Sequence, residues 1–456
     1  MDLTNFFRYI DKHEESLLED LKDALRQPSI AAQNVGIEEM AALVEARLRR
    51  LGARVQRFVM EPDAPPILFA EIGHGPRTLL FYNHYDVQPA DPLDEWTSPP
   101  FEPQVREGKL YARGVADDKG DLWARIQALE AWQATQGDLP LRVTWVIEGE
   151  EEVGSPHLIP FAQAYPDLLR ADGCLWETGE KDEADRPMLH LGVKGIAYFE
   201  LRARGANVDL HSMYAAIVPN PAWRLVHALA TLKDAQERIL IPGFMELVRE
   251  PGAEELAYLA QVPFEEEAMR QQWDLPAFVN GETGVEALKR LIYSPTCNIC
   301  GFGAGYTGEG GKTVLPAKAM VKLDFRLVPD LTPEVVERLL REHLQAQGFE
   351  DIEVITMHGM RPAATPVDAP IVQSAIRAAQ QVYGQSPVVW PMIPGSGPMA
   401  PLTTDLGTPA VLAGIGYPGA RFHAPDENIR LVDYFEGIKF VGALLAAFAE
   451  DGQAHG

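Results

Sequence analysis

Apolar positions along the chain follow two rhythms, a helical spacing and short continuous or alternating runs, and their order outlines a fold. Over residues 2–26, Leu, Phe and Ile recur at helical spacing among acids until Pro28, which predicts an amphipathic first helix. Residues 37–51 repeat the pattern up to Gly52, and residues 54–60 and 67–72 then read as strands. The run Leu79-Leu80-Phe81-Tyr82 predicts a buried strand that stops abruptly at His84-Tyr85-Asp86. A Pro-rich loop over 89–103 carries Trp96 and Phe101, helical periodicity returns over 121–132, and strands are predicted over 141–147, 173–176 and 410–415. Between about 191 and 360 the character changes: residues 199–203, 297–302 and 320–327 read as strands, and 223–233 and 332–347 as helices. The expected architecture is α/β, with a larger domain of residues 1–191 and 363–456 built on a mixed central sheet flanked by helices. An α+β insertion over 192–362 interrupts it.

The length agrees with two domains, because 456 residues exceed what one hydrophobic core usually supports. A net charge of −26 argues against nucleic acid or an anionic membrane as partner, and it suits an acidic pocket for cations. Three cysteines cannot build a disulfide framework and point to a reducing cytoplasm. Asp11, Glu14, Glu15 and Glu19 interrupt what would have to be a secretory leader, and no apolar run approaches the length of a membrane span.

Candidate chemistry gathers at the strand ends, where ligands of α/β sheets bind. His84 falls at one such end, and if it binds a metal through one ring nitrogen, Asp86 is within reach to hold the other. A lone His-x-Asp pair is otherwise a satisfied core or surface histidine. Asp117 and Asp118, in Gly114-Val115-Ala116-Asp117-Asp118-Lys119-Gly120, stand before a helix and either cap it or ligate. The strand over 141–147 runs into Glu148-Gly149-Glu150-Glu151-Glu152, whose crowded acids either face solvent or face a cation. The strand over 173–176 ends in Glu177, and the one over 410–415 leads through a Gly/Pro loop to His423. Two other motifs carry less. Gly305–Thr313 nearly matches a phosphate-binding loop, but Tyr306 stands where its first Gly belongs and a strand, not a helix, follows. Cys297-x-x-Cys300 lacks a second ligand pair and reads as two structural thiols.

Taken together these residues resemble the M20 family of dinuclear metallopeptidases, which contains carnosinase-like dipeptidases, aminoacylases, desuccinylases and carboxypeptidase G2-like enzymes. The matching pieces run in order along nearly the whole chain: His84-x-Asp86, the Gly114–Gly120 segment, the glutamate cluster followed by Gly154-Ser155, Glu177, Asp209-Leu210-His211-Ser212, Lys312-Thr313-Val314-x-Pro316 with Arg326, and His423. The resemblance implies two divalent metal ions per subunit, zinc with manganese or cobalt as alternatives. His84 and Glu177 would hold one, Glu152 and His423 the other, and Asp117 would bridge them across a cis peptide to Asp118. Glu151 would be the general base, with Asp86 supporting His84.

The charges support this division of labour. Two divalent cations bring four positive charges, against three negatives from Asp117, Glu152 and Glu177 and one from an activated hydroxide, which leaves Glu151 free to accept a proton. The resemblance further makes the insertion a lid and dimerisation domain of a homodimer, whose His211 would polarise the scissile carbonyl, from the partner subunit. Asn298, Arg326 and Ser396, in Gly395-Ser396-Gly397, match positions that hold a substrate carboxylate. Asn298 could instead satisfy a backbone group, and Arg326 could be a surface cation paired with Asp324. Glu177 is the acid typical of the family's carboxypeptidases and deacylases, whereas the stretch after Lys312 looks closer to its carnosinase-like dipeptidases. Hydrolysis of a dipeptide or short peptide with a free C-terminal carboxylate is the expected activity. An N-acyl-amino-acid deacylase is the alternative, and a non-catalytic metal-binding homologue a more remote one.

Overall fold

The apolar run that leads to His84 forms the strand Thr78–His84, buried at every position after Thr78. In the computed structural model, which describes residues 1–453, this strand lies inside an eight-stranded sheet. The strand order is Arg54–Phe58, Ile67–Ile72, Arg142–Glu148, Thr78–His84, Gly173–Trp176, Ala410–Leu412, Met188–His190, Val388–Trp390. Its centre is parallel: Thr78–His84 pairs in parallel with Arg142–Glu148 on one side and Gly173–Trp176 on the other, and Ala410–Leu412 is parallel to the latter. The Arg54–Phe58 and Ile67–Ile72 strands add an antiparallel edge, so the sheet is mixed. Parallel strands buried on both faces need continuous apolar runs, which is what Leu79–Tyr82 and Val143–Ile147 supply.

The chain divides into two units, the first made of residues 1–192, 364–391 and 398 onward, the second of 193–363 and 392–397. In the first, the helices Thr4–Leu25, Lys119–Gln136, Pro370–Tyr383 and Leu431–Gln453 cover the sheet; Lys119–Gln136 is buried nearly all round, with Trp123 and Trp132 among the largest enclosed side chains. The second unit holds an antiparallel sheet ordered Asn298–Ala304, Lys318–Leu327, Gly195–Arg204, Glu353–Met360, with Pro221–Leu229 and Pro333–Ala346 packed on it. The short segment 392–397, which carries Gly395-Ser396-Gly397, groups with this second unit, although the sequence pattern placed all of 363–456 in the larger domain. The reason is local bonding: the Lys194 N–H donates to the carbonyl of Gly395 at 2.8 Å, and Arg326 Nη1 donates to Ser396 Oγ at 2.9 Å. No helix among the described residues is long and apolar enough to cross a membrane.

Candidate metal centre

Parallel pairing aligns the carboxyl ends of three central strands, so the residues that follow them converge. His84 pairs in register with Glu148, and Glu177 follows directly on Trp176. His84 Nε2 lies 3.0 Å from Asp117 Oδ1 and 3.8 Å from Glu177 Oε2. On the other side of the same carboxylate, His423 Nε2 lies 2.9 Å from Asp117 Oδ2 and 3.3 Å from Glu152 Oε2. Asp117 thus offers one oxygen to each histidine, between Glu177 and Glu152. Donor atoms of His84, Asp118 and Glu177, and separately of Asp117, Glu152 and His423, cluster closely enough to share a cation each.

The framework behind these donors is tight. Asp86 turns its Oδ1 to His84 Nδ1 at 3.3 Å, and its carboxylate also accepts the backbone N–H groups of Glu151 at 3.3 Å and Glu152 at 3.1 Å. One buried side chain therefore sets both the imidazole and the loop bearing Glu151 and Glu152. The Asp117–Asp118 peptide is cis. Gly114, at φ +81°, begins the turn that carries Asp117, and a Cβ there would lie 2.4 Å from Val87 Cγ1, so only glycine fits.

Sequence patterns left several of these supports unseen. Asp118 occupies the N-cap position of Lys119–Gln136 but makes no capping bond; its Oδ2 accepts Asn83 Nδ2 at 2.6 Å and the His84 N–H at 3.2 Å. Arg125, buried on that helix, donates to Asn83 Oδ1 at 2.8 Å and to the carbonyls of Tyr82 and Leu175. Gln88 Nε2 holds Glu152 Oε2 at 2.8 Å, and buried Glu427 pins the backbone over 114–117. The only forewarning was Glu427's place four residues after His423.

Electrostatics give the donor set a purpose. Burial pushes the Glu177 carboxyl well above its ordinary range, with Glu151's charge adding to the effect, and pushes Asp118 up to about 6. His423 is raised to about 10 by its hydrogen bonds to Asp117 and Glu152. Burial opposes a charged His84, yet Asp117 and Asp86 raise it well above an ordinary imidazole. The acids around the two imidazoles thus call for positive charge at this place. Glu177 Oε2 and Asp118 Oδ1 are buried with no hydrogen-bond partner, the mark of acceptors shaped for something other than protein. Imidazole with carboxylate oxygens is the donor chemistry of zinc, manganese and cobalt sites, so these residues fit a pair of divalent cations. Burial also lifts Glu151 up to about 7, against the pull of His84, which suits a carboxylate that exchanges protons near neutrality.

The remaining sequence-predicted residues lie in the second unit. His211 ends the short strand Leu210–His211; its Nδ1 accepts the Met213 N–H at 3.1 Å and its Nε2 lies 3.4 Å from Thr313 Oγ1. Asn298 opens the edge strand Asn298–Ala304, exposed, with Nδ2 3.8 Å from Cys300 Sγ. Arg326 engages Ser396, with Asp324 Oδ2 3.6 Å from its Nε, and Gly397 follows in the same segment. Cys174, Cys297 and Cys300 are all free thiols.

Comparison with known proteins adds an independent line. The profile of "Peptidase family M20/M25/M40" matches residues 80–447. The Beta-Ala-His dipeptidase of Rattus norvegicus is 30% identical over 97% of this chain and 94% of its own length. The Cys-Gly metallodipeptidase of Schizosaccharomyces pombe is 29% identical over 96% of this chain and 97% of its own. Among solved structures, the M20 family metallo-carboxypeptidase Sso-CP2 from Sulfolobus solfataricus superposes with a TM-score of 0.85 at 36% identity, covering 95% of this chain and 99% of that one. Human carnosine dipeptidase 1 superposes with a TM-score of 0.72 at 29% identity, covering 98% and 100%.

Proposed function

The chain belongs to the M20/M25/M40 peptidase family, and from that premise we propose that it is a metallodipeptidase that cleaves the amide bond of dipeptides bearing a free C-terminal carboxylate. The observation that carries the reading is Asp117, whose two oxygens each meet one histidine within a ring of buried acids.

His84, Asp117 and Glu177 would hold one divalent ion and Asp117, Glu152 and His423 the other; zinc is the first candidate, then manganese or cobalt. When bound, the pair supplies Lewis acidity and lowers the pKa of water toward neutrality. Glu151 takes a proton from the attacking water and delivers it to the amine nitrogen as the C–N bond breaks, leaving a free amine and a carboxylic acid that ionises by releasing the water's other proton. Asp86 keeps Glu151 on station through the backbone N–H it accepts. Arg326 and Ser396, with Asn298, are read as the anchor for the substrate's carboxylate, and a guanidinium already oriented by a hydroxyl suits that task.

The second unit leaves Met213, Ile217 and Trp223 exposed, along with Ile299 and Phe302 on an edge strand, which supports a homodimer formed through this unit and His211 acting on the partner's substrate. The three free thiols support a cytoplasmic location. A second reading, removal of the C-terminal residue from N-acylated or longer substrates, is favoured by the likeness to a metallo-carboxypeptidase. Steady-state assays of dipeptides, their N-acetyl derivatives and tripeptides, with zinc, manganese or cobalt added, decide between them. Turnover confined to free dipeptides is expected, and faster cleavage of N-acetyl substrates would overturn it.

A further inference from the structure

The short helical turn Glu151–Val153, which presents Glu151, buries none of its side chains, and Val153 is exposed outright. Apolar packing does not fix this turn, so polar ties must. Asp86 holds one end through the N–H groups of Glu151 and Glu152. The other end closes on Glu148, the last residue of the strand Arg142–Glu148 and a buried carboxyl with no part in the chemistry above.

Glu148 Oε1 accepts two hydroxyls, Ser155 Oγ at 2.8 Å and the Tyr82 O–H at 2.6 Å. Ser155 is buried and stands at φ +51°, in the left-handed region that glycine enters more readily. The serine accepts that strain and in return its hydroxyl ties the loop back to the strand it left. Tyr82 carries the tie further. Its ring stacks on Trp176, with 3.7 Å between centroids and 12° between planes, and Trp176 Nε1 donates to Glu177 Oε1 at 3.2 Å. A continuous line of contacts therefore joins the loop of the proposed base to a proposed ligand, with Glu148 at its branch. Burial pushes the Glu148 carboxyl up to about 8, against the hydroxyls that favour its ionised form, so near neutrality it adds little charge beside Glu151 and its work is geometric.

We propose that Glu148 is a positioning residue for the hydrolysis: with Ser155 and Tyr82 it fixes the loop that carries Glu151, so that the base meets the attacking water in one geometry. The proposal rests on the reading of Glu151 as the general base. A displacement of about 1 Å at a reacting group costs up to roughly a hundredfold in rate, so the loss of one tie is expected to cost about tenfold in kcat.

The test uses Ser155→Ala, which removes the tie and leaves the rest of the loop, and Glu148→Ala beside Glu148→Gln. The glutamine carbonyl can accept both hydroxyls, while its amide takes the place of Oε2, an atom without a hydrogen-bond partner. Dipeptide kcat and KM, metal content, and hydrogen exchange of the peptide over 149–155 are measured on each. The expected result for Ser155→Ala and Glu148→Ala is a kcat lower by about tenfold, KM within about twofold, unchanged metal content and faster exchange over 149–155. Glu148→Gln should restore both kcat and exchange to within about threefold of the wild type. In a Glu151→Gln background the further change Ser155→Ala should cost less than about twofold, because the group it positions is gone. An equal loss in that background, or an unchanged kcat or exchange rate in Ser155→Ala, overturns the proposal while Glu151 stands as the base. Full turnover in Glu151→Gln alone overturns the reading of Glu151 and the proposal with it.

Discussion

Glu427 holds the backbone of Asp117: its Oε1 accepts the Asp117 N–H at 3.1 Å and that of Ala116 at 2.8 Å, while Oε2 takes the Gly114 N–H at 2.9 Å and Arg113 Nη1 at 2.7 Å. A single carboxylate four residues beyond one candidate ligand thus sets the turn that carries another, 310 residues earlier in the chain. Glu427→Gln puts an amide NH₂ against donors and removes the charge opposite Arg113. Supports of this kind are worth on the order of 10–100-fold in metal affinity. Competition with a chromophoric chelator measures it, and an unchanged affinity would show that the Asp117 turn stands without Glu427.

Glu151→Gln is expected to retain both metals and lose turnover by a hundredfold or more, because the base is removed and every proposed ligand spared. Metal analysis and kinetics on one sample decide the point. Loss of metal along with activity would make Glu151 a ligand and reverse the roles given to Glu151 and Glu152.

Chelation should both silence and destabilise the protein. Ligands that bind only the folded state stabilise it by about 2.7 kcal/mol at a hundred times their Kd, and removing the cations also returns Glu177 and its neighbours to mutual repulsion. A Tm several degrees lower after EDTA, restored by zinc, manganese or cobalt, is the expected outcome; a Tm indifferent to EDTA would contradict a resident metal pair.

Mixing inactive Glu151→Gln with inactive His211→Ala subunits under exchange conditions tests the partner-subunit role of His211. A mixed dimer contains one site with an intact Glu151 and a donated His211, so partial recovery is expected. Confirmed exchange without recovery would confine His211 to its own subunit or remove it from the reaction.

His190, on the strand Met188–His190, carries an imidazole that burial lowers to about 4. The unfolded chain binds that proton near 6.5 and the folded chain near 4, so between these values the unfolded state holds more protons and stability falls as the pH falls. The loss is up to about 3 kcal/mol by the usual conversion. Urea titrations from pH 7 to pH 4 should show a shallower decline in His190→Gln, and parallel profiles would exclude His190 as the source.

Much of this was legible in the sequence because the informative residues terminate apolar runs. The runs before His84, Glu148 and Glu177 each define a strand, and parallel pairing then brings their ends to one edge. Asp118 was ambiguous because an acid before a helix is read as a cap, and nothing in the sequence shows that it turns instead to Asn83 and His84. Glu427, Arg125 and Gln88 act across long separations in the chain, where no periodicity reports them. The helices Ala253–Leu259 and Glu266–Gln272 escaped notice because each spans only two turns of largely exposed, acid-rich sequence.

The place of Ala410–Leu412 within the sheet has a temporal consequence. The strand lies between Gly173–Trp176 and Met188–His190, so during synthesis the sheet waits for a partner more than two hundred residues downstream. At ordinary translation speeds of 5–20 residues per second that wait lasts roughly ten to fifty seconds. Throughout it the nascent chain exposes an open strand edge at Leu175 and lacks both His423 and Glu427. Synthesis of the stretch 410–427 therefore does two things at once: it closes that strand edge and supplies His423 and Glu427 to the candidate metal site.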